Sequence, residues 1–382
     1  MFNYDSNESD YGYYTVNNKI YINKIEAIIA AEQVGARPNF IFNDDIYSKL
    51  DWTREPTETL EQLYAKRAWE LRNKYDYLIL HYSGGWDSNN ILETFIANKI
   101  PLDELYLRGP LSTADKDITN SESSNMYAEI YFNALPIAKY VKETYYPNLV
   151  ITVVDSTTNI VDFFKSEKNA MNFCSPTRRG ANYSPSSVGT RTGDYDLLVA
   201  NHTKLTETGK RVGNMLGIDK PMIHFENGEF KVRFLDKFLG TFFPGRASEF
   251  DLPTFQEPFY WSQSTGPLIS KQVHSIKNYI KNNGLAGEII NDSRNRKYHD
   301  FIANIIYKRK FPVTFNAKKI EGISVLRPWE TYFLHDSHTD YLKNWRNGMD
   351  QLNKLVPDKW KHGGSIYNDV LGIFTKSYSV GA

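Results

Sequence analysis

The sequence YLILHYSGGWDS, residues 77–88, decides the fold of this chain. Its first six residues are almost all apolar, which is typical of a strand buried on both faces. Gly84 and Gly85 then predict a tight turn. From Asp87 to Asn98 the apolar residues recur at helical spacing. A strand, a turn and a helix are therefore predicted in direct succession.

Strands and helices alternate through much of the remaining chain. We predict further strands at residues 105–108, 149–154 and 196–200, and further helices at residues 25–34, 57–71, 121–145, 160–164, 266–282, 296–307 and 340–355. Such alternation implies right-handed crossovers and a mostly parallel sheet, so we expect an α/β fold.

Several polar residues follow the predicted strands. They are the Ser83 loop, Arg108 with Gly109, Asp155 with Ser156, and Asn201 with His202. Parallel α/β sheets bind ligands at the carboxyl ends of their strands, so we expect these segments to face one crevice.

The chain length of 382 residues exceeds one typical compact core. We expect a mixed or helical N-terminal extension at residues 1–74, an α/β domain at residues 75–239 and a mainly helical region at residues 240–382.

The charges balance, with 45 Lys and Arg against 45 Asp and Glu. A protein that coats nucleic acid usually has a basic excess, so broad electrostatic binding is not supported, although a local basic patch stays open. Residues 1–5 do not resemble a signal peptide, and no run approaches the roughly 20 apolar residues that span a bilayer. We expect a cytoplasmic protein that does not associate with membranes.

The loop between the first predicted strand and its helix has the groups that bind phosphate. The two glycines let the backbone approach an anion, and the helix start presents N–H groups. Ser83 and Ser88 add hydroxyl donors. Asp87 fits beside phosphates if it holds Mg²⁺. The alternative is an ordinary strand–turn–helix in which Asp87 only caps the helix.

This loop resembles the PP-loop of the ATP pyrophosphatases, whose pattern is Ser-Gly-Gly-x-Asp-Ser. That superfamily includes asparagine synthetases, β-lactam synthetase, tRNA-lysidine synthetase, tRNA thiolases and adenylylsulfate-type reductases. The resemblance covers residues 75–230 and implies a Rossmann-like core of the HUP type.

The resemblance also implies which residues bind ATP and Mg²⁺. Those implied for ATP are Tyr82, Ser83, Gly84, Gly85, Trp86, Asp87, Ser88, Arg108, Asn201 and His202. Asp87 and Glu207 are implied for the metal, because acidic residues follow the later strand of that fold.

The implied reaction is adenylation. An oxygen of the acceptor attacks the α-phosphorus of ATP, pyrophosphate leaves, and a nucleophile then attacks the adenylate. The resemblance implies that Asp87 is catalytic through the Mg²⁺ that it would hold at the phosphates. A lysine can assist the second step, and the sequence does not choose among Lys271, Lys297 and Lys308.

Three short stretches resemble asparagine-synthetase-like proteins of bacteriophages. They lie at residues 217–221, 259–262 and 271–274. For Lys271 and His274, in the last of them, the alternative is an exposed helix face.

A single cysteine, Cys174, narrows the choice within the superfamily. It cannot form the paired-cysteine, cluster or zinc sites that sulfur-transferring members commonly need. Transfer of nitrogen, forming an amide or amidine, is the remaining branch. Phe2 stands where a glutaminase domain would carry its cysteine, so we expect free ammonia, an amine or a partner to supply nitrogen.

We expect the acceptor to be a small molecule or a nucleotide. Two alternatives stay open: an enzyme of the same fold that modifies a base in tRNA or DNA, and an inactive nucleotide-binding regulatory protein. A homodimer is compatible with the sequence.

Overall fold

The computed structural model describes most of the chain. The described residues are 12–21, 23–109, 111–113, 129–166, 204–217, 220–236, 254–291, 296–308, 311, 339–365 and 370–382.

The chain alternates strands and helices through its first half. The strands are β1 (Tyr13–Val16), β2 (Lys19–Tyr21), β3 (Asn39–Ile41), β4 (Tyr77–His81), β5 (Glu104–Gly109), β6 (Val150–Asp155), β7 (Val212–Leu216), β8 (Met222–Glu226), β9 (Glu229–Arg233), β10 (Thr254–Pro258) and β11 (Tyr378–Gly381). The α-helices are α1 (Lys24–Gln33), α2 (Asp44–Tyr47), α3 (Leu60–Lys74), α4 (Trp86–Ala97), α5 (Leu135–Thr144), α6 (Thr157–Ser166), α7 (Gly266–Asn282), α8 (Arg296–Ile306) and α9 (Thr339–Leu355).

The central sheet has five strands in the order β10-β7-β4-β5-β6. Every neighbouring pair is parallel. From β4 the chain moves outward through β5 to β6, and it then returns to the other side of β4 for β7 and β10. The predicted α/β fold with a parallel sheet is therefore confirmed. The strand order reverses between β4 and β7.

The strand beside β4 on that second side is β7, which the sequence pattern did not predict. It contains Gly213, and a Cβ at Gly213 would lie 2.4 Å from the ring of Tyr75. It also contains Asn214, which is fully buried. A glycine and an amide inside a buried strand weaken its apolar pattern. The predicted strand at residues 196–200 lies outside the described residues.

Two smaller sheets and strand β10 extend the strand content beyond the predicted boundaries. One antiparallel sheet has the order β2-β1-β3, and another has the order β11-β9-β8. Strand β10 lies after residue 239, in the region expected to be mainly helical, yet it pairs with β7. The boundary at residue 239 therefore divides the central sheet.

Several helix predictions are confirmed. Helix α3 begins with a capping box in which Thr59 and Gln62 exchange hydrogen bonds. Of the helix predicted at residues 121–145, the described part is a π-helical turn, Ile130–Ala134, followed by α5. Among the described residues, no helix is long and apolar enough to cross a membrane.

Arg67, on α3, connects the N-terminal segment to the central sheet. Its guanidinium is buried and donates to Glu257 at 3.1 Å and to the Pro258 carbonyl at 2.9 Å. It also donates to the Phe259 carbonyl at 3.3 Å. These bonds fix the end of β10 and the direction in which the chain leaves it.

Candidate functional site

The Ser83 loop lies at the reversal of strand order. It follows the carboxyl end of β4, and Gly217 follows the carboxyl end of β7 beside it. In parallel α/β sheets such a reversal opens a crevice for ligands. The loop therefore occupies the position where this fold class binds its ligand.

Gly84 is required by both its conformation and its surroundings. Its φ is +75°, a left-handed value that other residues adopt only under strain. A Cβ there would lie 2.9 Å from the backbone nitrogen of Ala134, in the π-helical turn. Gly84 thus lets that turn pack directly on the loop.

Hydrogen bonds within the loop hold its shape. The hydroxyl groups of Ser83 and Ser88 are 3.3 Å apart, and the Gly85 N–H donates to the Ser83 hydroxyl at 3.3 Å. The Asn89 amide donates to the Gly84 carbonyl at 3.0 Å and accepts a bond from the Tyr82 hydroxyl. Ser83 is exposed, whereas Tyr82 and Ser88 are buried. A preformed loop thus presents Ser83 outward at the start of α4.

The carboxylate of Asp87 contacts the ammonium group of a lysine and the hydroxyl group of a tyrosine. The Lys220 ammonium lies 2.9 Å from Oδ1 and 2.8 Å from Oδ2. The Tyr307 hydroxyl donates to Oδ1 at 2.6 Å. The Lys220 side chain is only 8% exposed and that of Asp87 is 23% exposed, so water screens this pair weakly.

Gly217 lets the chain lie close to α4 where it leaves β7. A Cβ at Gly217 would lie 3.1 Å from the carbonyl carbon of Asp87 and from the nitrogen of Ser88. The next side chain it would meet is Ile91, at 3.2 Å. A glycine here allows the chain after β7 to pass directly over the first turn of α4.

Tyr260 and Tyr307 cover the other side of Asp87. The Tyr260 hydroxyl donates to the Asp87 carbonyl at 2.8 Å and accepts a bond from the Asn90 amide at 3.0 Å. Burial, and then the charge of Asp87, raises the pKa of both tyrosines well above the usual range. Both hydroxyl groups therefore stay protonated and act as neutral donors.

The ring of Tyr64 packs beside those of Tyr260 and Tyr307, and the three rings form an aromatic wall near Asp87. Its centroid lies 6.0 Å from that of Tyr260 and 6.3 Å from that of Tyr307. Its hydroxyl donates to the Ile306 carbonyl at 2.9 Å, at the end of α8. The wall is thus assembled from the N-terminal and C-terminal segments around a loop of the central sheet.

Asp155 marks the same edge of the sheet two strands away. Partial burial raises the pKa of its carboxyl, but hydrogen bonds from Ser112 and Thr157 outweigh burial and lower the pKa below its usual value. Arg108 is half-buried at the end of β5, paired in register with Val154. The expectation that these strand ends share one edge with the Ser83 loop is confirmed by the parallel pairing.

Glu207 is not near Asp87. It lies in the turn that leads into the amino end of β7, and Lys210 just after it places its ammonium over the ring of Tyr77, 5.6 Å from the centroid. The Ser83 loop follows the opposite end of β4, about 13 Å further along the strand. The described strands therefore do not bring Glu207 to Asp87, because Glu207 leads into the amino end of β7 whereas Asp87 follows the carboxyl end of β4.

Two of the predicted catalytic lysines, Lys271 and Lys308, pair with other residues. The Lys271 ammonium pairs with Glu55 at 2.7 Å. Lys308 pairs with Glu61 and is 84% exposed. Lys297 lies in the first turn of α8.

The structure thus places Lys220 on Asp87 instead of Lys271 or Lys308. His274, in the same stretch as Lys271, is buried, and its Nε2 lies 3.0 Å from the Trp52 carbonyl oxygen. The alternative interpretation of His274 as part of an exposed helix face is therefore wrong. Asn201, His202 and Cys174 lie outside the described residues.

Sequence reasoning missed Lys220, Tyr260 and Tyr307 as site residues. A signal existed for two of them, because the stretches at residues 217–221 and 259–262 contain Lys220 and Tyr260. The structure brings both stretches to Asp87. Tyr307 had no comparable signal.

Among the described residues, no group of three or more His, Cys, Asp or Glu side chains could hold a metal ion. Mg²⁺ is commonly bound through one or two carboxylates together with substrate phosphates. Asp87 therefore fits a metal that is shared with a polyphosphate.

Comparison with known proteins adds no identification: no family model matches this chain, and no curated protein sequence matches it.

Proposed function

We propose that this chain is an ATP pyrophosphatase that adenylates an acceptor. The single observation that supports it most is the preformed Ser83 loop at the reversal of strand order, with Gly84 in its left-handed conformation. A loop of this composition at this position suits the polyphosphate of a nucleotide.

The proposed reaction has two steps. A carboxylate or carbonyl oxygen of the acceptor bonds to the α-phosphorus, and the bond to the bridging oxygen breaks, so that pyrophosphate leaves. A nitrogen nucleophile, from ammonia or an amine, then attacks the activated carbon, loses a proton and displaces AMP. The product is an amide or amidine, as in an asparagine-synthetase-like ligase without a glutaminase domain.

The residues of the loop have separate roles in this proposal. The backbone of Gly84 and Gly85, the hydroxyl of Ser83 and the start of α4 bind the phosphates. Lys220, whose ammonium lies 2.8 Å from Oδ2 of Asp87 in the first turn of α4, supplies positive charge where charge develops on the leaving group. Mg²⁺, when bound with ATP at Asp87, would neutralise charge on the phosphates.

Incubation with ATP radiolabelled at the α or the γ phosphate tests the proposal. We expect the α label in AMP and the γ label in pyrophosphate. Recovery of ADP would overturn the proposal that this chain is an ATP pyrophosphatase. If no turnover is seen, exchange of labelled pyrophosphate into ATP with candidate carboxylic acids detects the first step alone.

A nucleotide-binding protein without turnover is the second candidate. It is favoured by the contacts of Lys220 and Tyr307 with Asp87, which occupy the carboxylate in the described structure. This candidate predicts ATP binding in calorimetry with neither AMP formation nor pyrophosphate exchange. Modification of a tRNA or DNA base has no such observation in its favour.

A further inference from the structure

In this structure the Asp87 carboxylate is paired with a cationic side chain of the protein, that of Lys220. Both carboxylate oxygens contact the Lys220 ammonium, at 2.9 Å and 2.8 Å. The same two oxygens are the ligands that a divalent cation at this loop would use. Lys220 and a divalent cation therefore compete for Asp87.

Electrostatics favours Lys220 while no phosphate is present. An ammonium and a divalent cation at one carboxylate would place three positive charges beside one negative charge. The described part of the chain offers no cluster of further acidic residues to balance them. A displaced Lys220, whose side chain is 8% exposed, would also give up its ion pair with Asp87, which is unfavourable.

A polyphosphate changes this balance. It brings several negative charges to the Ser83 loop, and an ammonium on a flexible stem can move to them as a point charge. Asp87 then becomes available to a divalent cation that is held by the phosphates as well.

We propose that Lys220 determines when a divalent cation can bind: its ammonium holds Asp87 until nucleotide phosphates draw it away. Divalent cation and nucleotide then bind together, and neither the cation alone nor an unrelated anion opens the site. This inference rests on the proposed function, because it requires nucleotide phosphates at the Ser83 loop.

Tyr307 provides the matched control. Its hydroxyl contacts Oδ1 of the same carboxylate at 2.6 Å, but it is neutral. Removing it in Tyr307→Phe deletes one contact to Asp87 without changing the charge. Competition between charges predicts that this variant behaves like the wild type.

The probe is Mn²⁺, because its electron paramagnetic resonance signal measures free ion directly. Mn²⁺ is titrated into the full chain as wild type, Lys220→Met, Tyr307→Phe and the double variant Lys220→Met with Asp87→Asn. Without nucleotide, we expect Lys220→Met to bind Mn²⁺ at least about tenfold more tightly than the other three. With α,β-methylene-ATP, which cannot be cleaved between the α and β phosphates, the wild type should gain Mn²⁺ affinity by a similar factor.

Two results would overturn the inference. One is that the wild type binds Mn²⁺ without nucleotide as tightly as Lys220→Met does. The other is that α,β-methylene-ATP binds the wild type, as measured by calorimetry, but leaves its affinity for Mn²⁺ unchanged. The proposed function would stand in that case. Failure of the analogue to bind would instead overturn the proposed function and the inference with it. Circular dichroism checks each fold, and Lys220→Gln replaces Lys220→Met if the latter does not fold.

Discussion

The indole N–H of Trp86 donates a hydrogen bond to Oδ1 of Asp300 at 3.1 Å. Trp86 is the first residue of α4 and stands at the variable position of the Ser-Gly-Gly-x-Asp-Ser pattern. Asp300 lies on α8, 214 residues further along the chain. The side chain at the variable position therefore contacts the C-terminal region, and only the backbone of Trp86 remains a candidate for binding phosphate.

Gly84→Ala should be markedly destabilising. The substitution places a methyl group in a left-handed conformation and against the backbone of Ala134, 2.9 Å from its nitrogen. We expect a loss of about 2 kcal/mol or more in the free energy of unfolding, measured with urea. Gly228→Ala is the matched control, because Gly228 has φ of +80° with nothing within 4 Å. Equal losses in the two variants would exclude a steric role for Ala134.

Asp87→Asn should abolish turnover and should also lower stability. The structure shows that Lys220, which is buried, would lose its carboxylate partner. We expect each single variant, Asp87→Asn and Lys220→Met, to cost about 1–3 kcal/mol, and the double variant to cost less than their sum. Urea unfolding of all four proteins measures this coupling. Strict additivity would show that the contact contributes no net stability.

Tyr307→Phe should weaken the attachment of the C-terminal region to the loop. It removes the donor to Asp87 but keeps the ring, whose centroid lies 5.6 Å from that of Tyr260. We expect a loss of about 1 kcal/mol in unfolding free energy. Tyr279→Phe is the control, because that ring is 43% exposed. A loss no larger than that of the control would contradict the role of the hydroxyl.

Glu257 should make stability depend on pH. Burial raises the pKa of its carboxyl, but Arg67, Lys74 and Tyr75 outweigh burial and lower the pKa below the unfolded value of 4.5. A folded-state pKa below the unfolded one adds stability that is fully present above the unfolded pKa and is lost as pH falls through the folded pKa.

The matching experiment compares the wild type with Glu257→Gln by urea unfolding at several pH values. We expect a constant difference in unfolding free energy above the unfolded pKa of 4.5, which shrinks as the pH falls below it. Glu288→Gln, at an exposed position, is the control. A difference that grows as the pH falls would contradict the assigned direction.

The local parts of the fold were predictable from sequence. Strand β4, the turn and α4 follow from residues that are neighbours in the chain. Strand β7 was not predictable in this way, because Gly213 is required by the ring of Tyr75, and that contact joins distant segments. A buried amide at Asn214 further breaks the pattern that identifies a strand.

The site divides along the same line. The residues of the Ser83 loop were predicted, because the pattern and its chemistry lie within one short stretch. Lys220 and Tyr307 reach Asp87 across separations of 133 and 220 residues, and no local spacing encodes such contacts. Lys271 and Lys308 were chosen from the helical segments by residue type alone, and each pairs with another acid.

Strand β10 covers the backbone of β7 on the outer side of the central sheet. A fragment that ends at residue 239 would therefore expose the N–H and C=O groups of β7 as an open sheet edge. Open edges of this kind recruit strands from other molecules, so such a fragment should aggregate rather than fold as an isolated α/β domain. The chain is not modular in this sense: the Ser83 loop and the strand that covers β7 cannot be separated without exposing the sheet.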